Sequence, residues 1–204
     1  MISIVGLGTG GSKIAKEFEQ YSVYNVYALD FLEKHEKPED YEKNVPDLRE
    51  YFMDIDSRVQ FFVVGSSYSS NYTLGILEQI KDKNIDLFYI KPDTELLAGV
   101  PKLVEKAVFG VLQEYARSGL FNSVTLINNL SVEQVLQNVP IKTYYQTLNN
   151  MIASSVHYVN YFENNEPIIG VKSKPPETAR IRSIGALDMD TLQEKWFFDL
   201  AIDR

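Results

Sequence analysis

Glycine is concentrated where one apolar stretch ends and a helical pattern begins. Ile2-Ser-Ile-Val5 reads as a buried parallel strand, and Gly6, Gly8, Gly10 and Gly11 follow at once, before an amphipathic stretch over residues 11–20. Such a turn lets the backbone approach an anion, and the helix that opens there presents unpaired N–H groups and a partial positive charge, which suit a phosphate. Gly8, Thr9, Gly10, Gly11 and Ser12 are the candidate phosphate-binding residues. Glycines at these places also serve plain close packing of a strand on a helix. A second strand-to-helix turn, Gly65-Ser-Ser-Tyr-Ser-Ser-Asn-Tyr-Thr73, is rich in hydroxyls. Gly65, Ser67, Ser69, Ser70, Asn71 and Thr73 could hold a phosphate there, and Ser and Asn equally well cap the helix that follows.

Short apolar runs alternate with helical periodicities along the rest of the chain, the pattern of a mainly parallel sheet with helices on both faces: a three-layer, Rossmann-like α/β fold. Strands are predicted at residues 2–5, 25–29, 60–64, 87–90 and 123–127. Helices are predicted at 11–20, 46–52, 72–81, 101–117 and 131–136. In the 101–117 helix Pro101 fits the first turn, and Val104, Val108, Leu112 and Tyr115 share a face. The charged stretch 31–44, with Pro38 and no clear period, reads as a surface loop. Over 141–164, Tyr145, Leu148, Ile152, Val156 and Val159 recur at helical spacing, giving one long central helix that Asn164 and Asn165 can cap. The organisation expected is a nucleotide-binding domain over 1–165 that includes this helix. Residues 166–204 then form a loop and a last helix at 191–202, packed on the same domain.

Composition removes several functions. The 204 residues carry a net charge of −8, which argues against a broad basic surface for nucleic acid. No apolar stretch approaches the length of a membrane span, and the amino terminus reads as a strand and not as a signal peptide. The chain has no cysteine, which excludes disulfides and thiolate metal sites and fits a cytoplasmic setting. His35 and His157 are far apart in sequence, so neither a histidine metal site nor a catalytic triad is expected.

The order of these pieces resembles the nucleotide-binding half of the tubulin/FtsZ family. The pieces are the first glycine turn, the 65–73 turn, Lys91-Pro92, Asn128-Asn129, the long helix, and Gly185-x-Leu187-Asp188-x-Asp190. The resemblance covers most of the chain and rests on order and spacing more than on any single motif. It implies binding of GTP or GDP, with Mg2+ held through the phosphates, and self-association head to tail. Tyr145 and Asn149 resemble the aromatic and amide that stack on guanine and bond its edge; a four-residue spacing sets both on one helix face. Asn129 resembles the amide that meets guanine from the preceding turn, and an amide both donates and accepts, as a guanine edge requires. Glu95 resembles a ribose ligand. Asp190, with Asp188 beside it, resembles the acidic loop that positions water at the next subunit's nucleotide, although Asp190 also fits a helix cap.

Departures from the family pattern bear on hydrolysis. Gly65 is the sole glycine of the second turn, the family's further glycine loop has no counterpart in 34–46, and Gln193 stands where a charged catalytic residue often lies. The resemblance ends at the helix that in the family leads into a second domain. The base-reading positions are thus better kept than the phosphate-handling ones, which implies slow or absent hydrolysis. Two other readings stay open. One is a nucleotide-independent structural or assembly protein on the same fold. The other is an NAD-type oxidoreductase, in which Asp30 at the end of the second strand bonds the adenosine ribose.

Overall fold

Six strands form one parallel sheet: β1 (Ile2–Leu7), β2 (Tyr24–Leu29), β3 (Arg58–Val64), β4 (Asn84–Lys91), β5 (Ser123–Asn128) and β6 (Ile181–Ser183), in the order β2-β1-β3-β4-β5-β6. This is a computed structural model; it describes residues 1–199 except 32, 36, 37, 94, 96, 137 and 138. The expected α/β architecture is present. Alternation along each strand divides the core. Val59, Phe61 and Val63 of β3 face one layer, with α3 (Thr73–Gln79) and α4 (Val100–Ser118), where Ile76, Leu77, Leu112 and Ala116 are buried. Phe62 faces the other layer, built by Ile14, Ala15 and Phe18 at α1 (Gly8–Glu17), Val132 of α5 (Asn129–Leu136), and Leu148, Ile152, Ala153 and Val156 of α6 (Tyr144–Asn164). The short α2 (Pro38–Lys43) contributes Tyr41 to the first layer.

Strand order reverses direction between β1 and β3. The chain leaving β1 enters α1 on one face, and the chain leaving β3 enters α3 on the other, so a crevice opens between the two turns at the carboxyl edge of the sheet. The glycine turn and the serine-rich turn flank that crevice.

Three predicted elements are corrected. The 31–44 stretch contains α2, because Tyr41 finds a buried slot against Tyr72. Residues 46–52 form turns and no helix; the backbone N–H of Leu48 goes to the Gln79 side chain, which replaces a helical partner. The last helix at 191–202 is absent over its described part. The strands β7 (Gly185–Leu187) and β8 (Glu194–Trp196) form an antiparallel hairpin there, and residues 200–202 lie outside the described residues. The helix pattern fails because Asp188 accepts from the N–H groups of Asp190 and Thr191, holding a tight turn, and Leu192 takes a φ of 55°. β6, which carried no assignment from sequence, extends the sheet beside β5. The long helix therefore returns the chain to the same sheet. Among the described residues no helix is long and apolar enough to cross a membrane.

Candidate functional site

At the carboxyl edge of the sheet, Thr9, Gly10, Lys13, Ile14, Val64, Ile90, Asn129, Tyr145 and Asn149 line one cleft of about 220 Å3. Four elements deliver them. Thr9 and Gly10 open α1, and Lys13 and Ile14 lie one turn further along it. Val64 and Ile90 are the last apolar residues of β3 and β4, and form the floor. Asn129 begins α5, whose first turn is capped by Asn128: its Oδ1 accepts from the Leu130 N–H at 2.9 Å. Tyr145 and Asn149 occupy successive turns of α6.

The start of α6 is fixed by the neighbouring ring. Tyr144 turns inward and donates its hydroxyl to Glu133 of α5 at 2.7 Å. Burial, then that carboxylate, push its phenol up to about 12, so it stays protonated as a donor. Tyr145 points out and is 68% exposed, with Tyr144 edge-on to it at 5.2 Å. An aromatic ring left this exposed over an apolar floor of Val64 and Ile90 is a surface on which a planar ring can stack. Neither Asn129 nor Asn149 has a side-chain hydrogen-bond partner among the described residues, so both amides are unspent beside that ring. At 220 Å3 the cleft is smaller than the roughly 300–1,000 Å3 typical of a site enclosing a whole drug-sized ligand. Its size suits one planar ring.

The candidate phosphate residues are arranged otherwise. Gly8 has φ +75°, and a Cβ there would lie 3.1 Å from Ser67 Oγ and 3.2 Å from Ser69 Cβ, so the two turns touch. A Cβ on Gly10 would meet Val64 at 2.6 Å, and one on Gly11 would meet the Phe62 carbonyl at 2.5 Å; packing alone accounts for these two glycines. The hydroxyls point back into the protein. Ser12 donates to the Thr9 carbonyl, Ser69 to Phe31, Ser70 to Ser67 and Thr73 to Ser70. Ser67 Oγ accepts from the Ser70 N–H at 3.1 Å, the capping role that serine offers at a helix start. Ser69, Ser70 and Thr73 are buried, whereas Asn71 is half-buried. Gly65 is buried against Tyr89, where a Cβ would meet the phenol. Ser66, next to it, is held at φ 66°, a conformation that costs a residue with a side chain about 1–2 kcal/mol.

The remaining candidates lie outside the cleft lining. Glu95 is exposed, and its N–H is bonded to Asp93 at 2.9 Å. Asp188 is committed to the hairpin turn: the N–H groups of Thr191 and Asp190 hold its carboxyl below the usual range. Asp190 is exposed in that turn. The hairpin is rooted at the end of β5, where the Asn128 N–H bonds the Phe197 carbonyl at 2.6 Å. Asp30 accepts from Thr9 Oγ1 at 3.3 Å, on the β2 side of the glycine turn. No group of His, Asp or Glu among the described residues is placed to hold a metal ion.

Sequence reasoning overlooked Lys13, Ile14, Val64 and Ile90. The first two were readable, since they follow Thr9 and Gly10 by one helical turn and so share their face. The second two required the strand ends to be placed to within a residue.

No protein-family model matches the chain, and no curated protein sequence matches it. Solved structures do. The chain is similar to an FtsZ dimer from M. jannaschii, at a TM-score of 0.62 and 11% identity, over 84% of this chain and 57% of that one. It is also similar to TubZ of Bacillus thuringiensis serovar israelensis in a GTPγS-form protofilament, at 0.54 and 10% identity, over 78% of this chain and 56% of that one. The chain thus spans less than two thirds of either neighbour, and at these identities the likeness is one of fold: a tubulin/FtsZ-like α/β fold.

Proposed function

We propose that this chain binds a guanine nucleotide, GTP or GDP, with the base in the cleft between α1, α5 and α6. The observation that carries the reading is the convergence of Tyr145, Asn149 and Asn129 on one cleft with Thr9 and Gly10 of the glycine turn. Tyr145 stacks on the purine, the two amides read its polar edge, and the start of α1 lies toward the phosphates. The fold shared with FtsZ and with the GTPγS-form TubZ protofilament supports the reading. Mg2+ enters bound to the phosphates, since the described residues supply no cage of their own.

We extend the proposal to head-to-tail self-association, which the same likeness of fold supports. Asp190 is exposed and can orient water at a neighbouring copy's nucleotide; Asp188 is committed to its own turn. Hydrolysis in this reading is slow or absent, and any turnover rises with protein concentration because the site completes only between copies. The test is equilibrium binding of fluorescent GTP and GDP with Mg2+ present. Saturable binding in the micromolar range that excess unlabelled GDP competes away is expected, and no binding at high micromolar protein overturns the proposal.

One arrangement favours a second reading, a structural protein that uses the fold without nucleotide. The hydroxyls of Ser12, Ser69, Ser70 and Thr73 are turned inward and the glycines at 10 and 11 are explained by packing, so the phosphate side is self-contained. The same titration separates the two.

A further inference from the structure

Lys13 is the one charged side chain among the nine residues that line the cleft. It sits on the face of α1 that meets α6. One turn further along, Glu17 of that same face takes a hydrogen bond from the Asn150 side chain at 3.4 Å, where the two helices lie side by side. Lys13 therefore stands across from the turn of α6 that carries Tyr145 and Asn149. It has no ion-pair partner among the described residues and is exposed, so its ammonium is available to whatever fills the cleft.

The chemistry of the group narrows what it can read. Asn129 and Asn149 each offer a donor and an acceptor, so they can match either sense of a base edge. An ammonium only donates. On a purine, N7 and the 6-position are neighbours on one edge. In guanine and hypoxanthine both are acceptors, whereas adenine places an amino donor at the 6-position. A donor-only group at that edge favours a 6-oxo purine and is mismatched to a 6-amino purine.

We infer that Lys13 is a specificity-determining residue that donates to the N7/O6 edge of a bound purine and makes the cleft select 6-oxo over 6-amino bases. The inference rests on the proposed base-binding reading of the cleft and goes beyond it, in giving the discrimination against adenine to one residue. The amides are left to read the other edge, which carries the 2-amino group that separates guanine from hypoxanthine.

The experiment measures affinities of the full chain for GDP, IDP and ADP, for the native protein and for Lys13→Met and Lys13→Arg. Lys13 is exposed on a helix surface, and methionine and arginine are both good helix formers, so both variants keep the fold. The native protein binds GDP and IDP more tightly than ADP. Lys13→Met is expected to shrink the GDP-to-ADP ratio by about tenfold, the scale of one edge contact, and to leave the GDP-to-IDP ratio unchanged. Lys13→Arg retains most of the discrimination. If Lys13→Met weakens GDP and ADP by the same factor, Lys13 serves the phosphates and the inference is overturned. A native protein that binds none of the three sinks the base reading of the cleft and this inference with it, whereas native binding with an unchanged ratio in Lys13→Met sinks the role of Lys13 alone.

Discussion

Asn149 and Asn160 lie about three turns apart on α6 and are used in opposite ways. Asn160 is 3% exposed and exchanges two hydrogen bonds with Gln60 of β3, at 2.7 and 2.8 Å, while donating to the Tyr24 hydroxyl at 3.2 Å. Tyr24 in turn bonds His157 Nδ1 at 2.9 Å, and His157 stacks on Tyr21 at 3.7 Å. Nearby, Arg58 bridges Asp86 and Glu163, and Asp86 also accepts from Asn122 and Ser123. These polar groups are spent on the fold. At the other end of the helix, the Tyr145 hydroxyl and the Asn149 amide have no side-chain hydrogen-bond partner among the described residues. The same residue types are structural where a buried partner faces them and available for a ligand where the sheet ends.

That contrast can be broken by exchanging which property each site controls. Asn160→Ala leaves the buried Gln60 amide without a partner and should cost roughly 3 kcal/mol of stability in a denaturant titration, at an unchanged nucleotide affinity. A loss below about 0.5 kcal/mol would mean that the far half is not the structural one. Tyr145→Ala should act in reverse. Its nucleotide affinity falls by about 1–3 kcal/mol from lost stacking, while the unfolding midpoint stays near native, as for other exposed positions. A marked loss of stability in that variant would place the ring in the core and dissolve the distinction.

Ser66→Gly sharpens the comparison on the phosphate side. It relieves the left-handed serine and should raise stability by about 1 kcal/mol. Unchanged stability would show that the turn relaxes in solution. The smallest effect is that of pH. Burial holds the His157 imidazole below its ordinary value of 6.5. Folding then favours the neutral ring, so its contribution is present above that pH and fades as the solution is acidified through the lower folded value. Nδ1 of His157 shares a hydrogen bond with the Tyr24 hydroxyl at 2.9 Å, and that oxygen accepts from Asn160. Melting temperature should slope gently downward below pH 6.5, and His157→Gln should flatten that slope.

The sheet was legible because alternation and apolar runs report burial directly: Val59, Phe61 and Val63 against Gln60 and Phe62 divide the two faces of β3. The base-side residues were legible because a helix converts spacing into a shared face, as with Tyr145 and Asn149. The serines were not. A hydroxyl at a helix start satisfies a cap or a ligand equally well on paper, and only the positions of Ser67, Ser69 and Thr73 decide where their hydrogens go. Residues 191–199 misled for a related reason. Their spacing permits a helix, but the Asp188 turn closes a hairpin first, a local contact that periodicity does not register.

After α6 the chain comes back as β6 along β5, at Val124↔Ile181. The helix is therefore pinned at both ends: to α5 through Tyr144 and Glu133 near its start, and to the sheet through Asn160 and Gln60 near its finish. A ligand filling the cleft beside Tyr145 would thus meet the helix at its α5 anchor, about 20 Å along the axis from its anchor on the sheet.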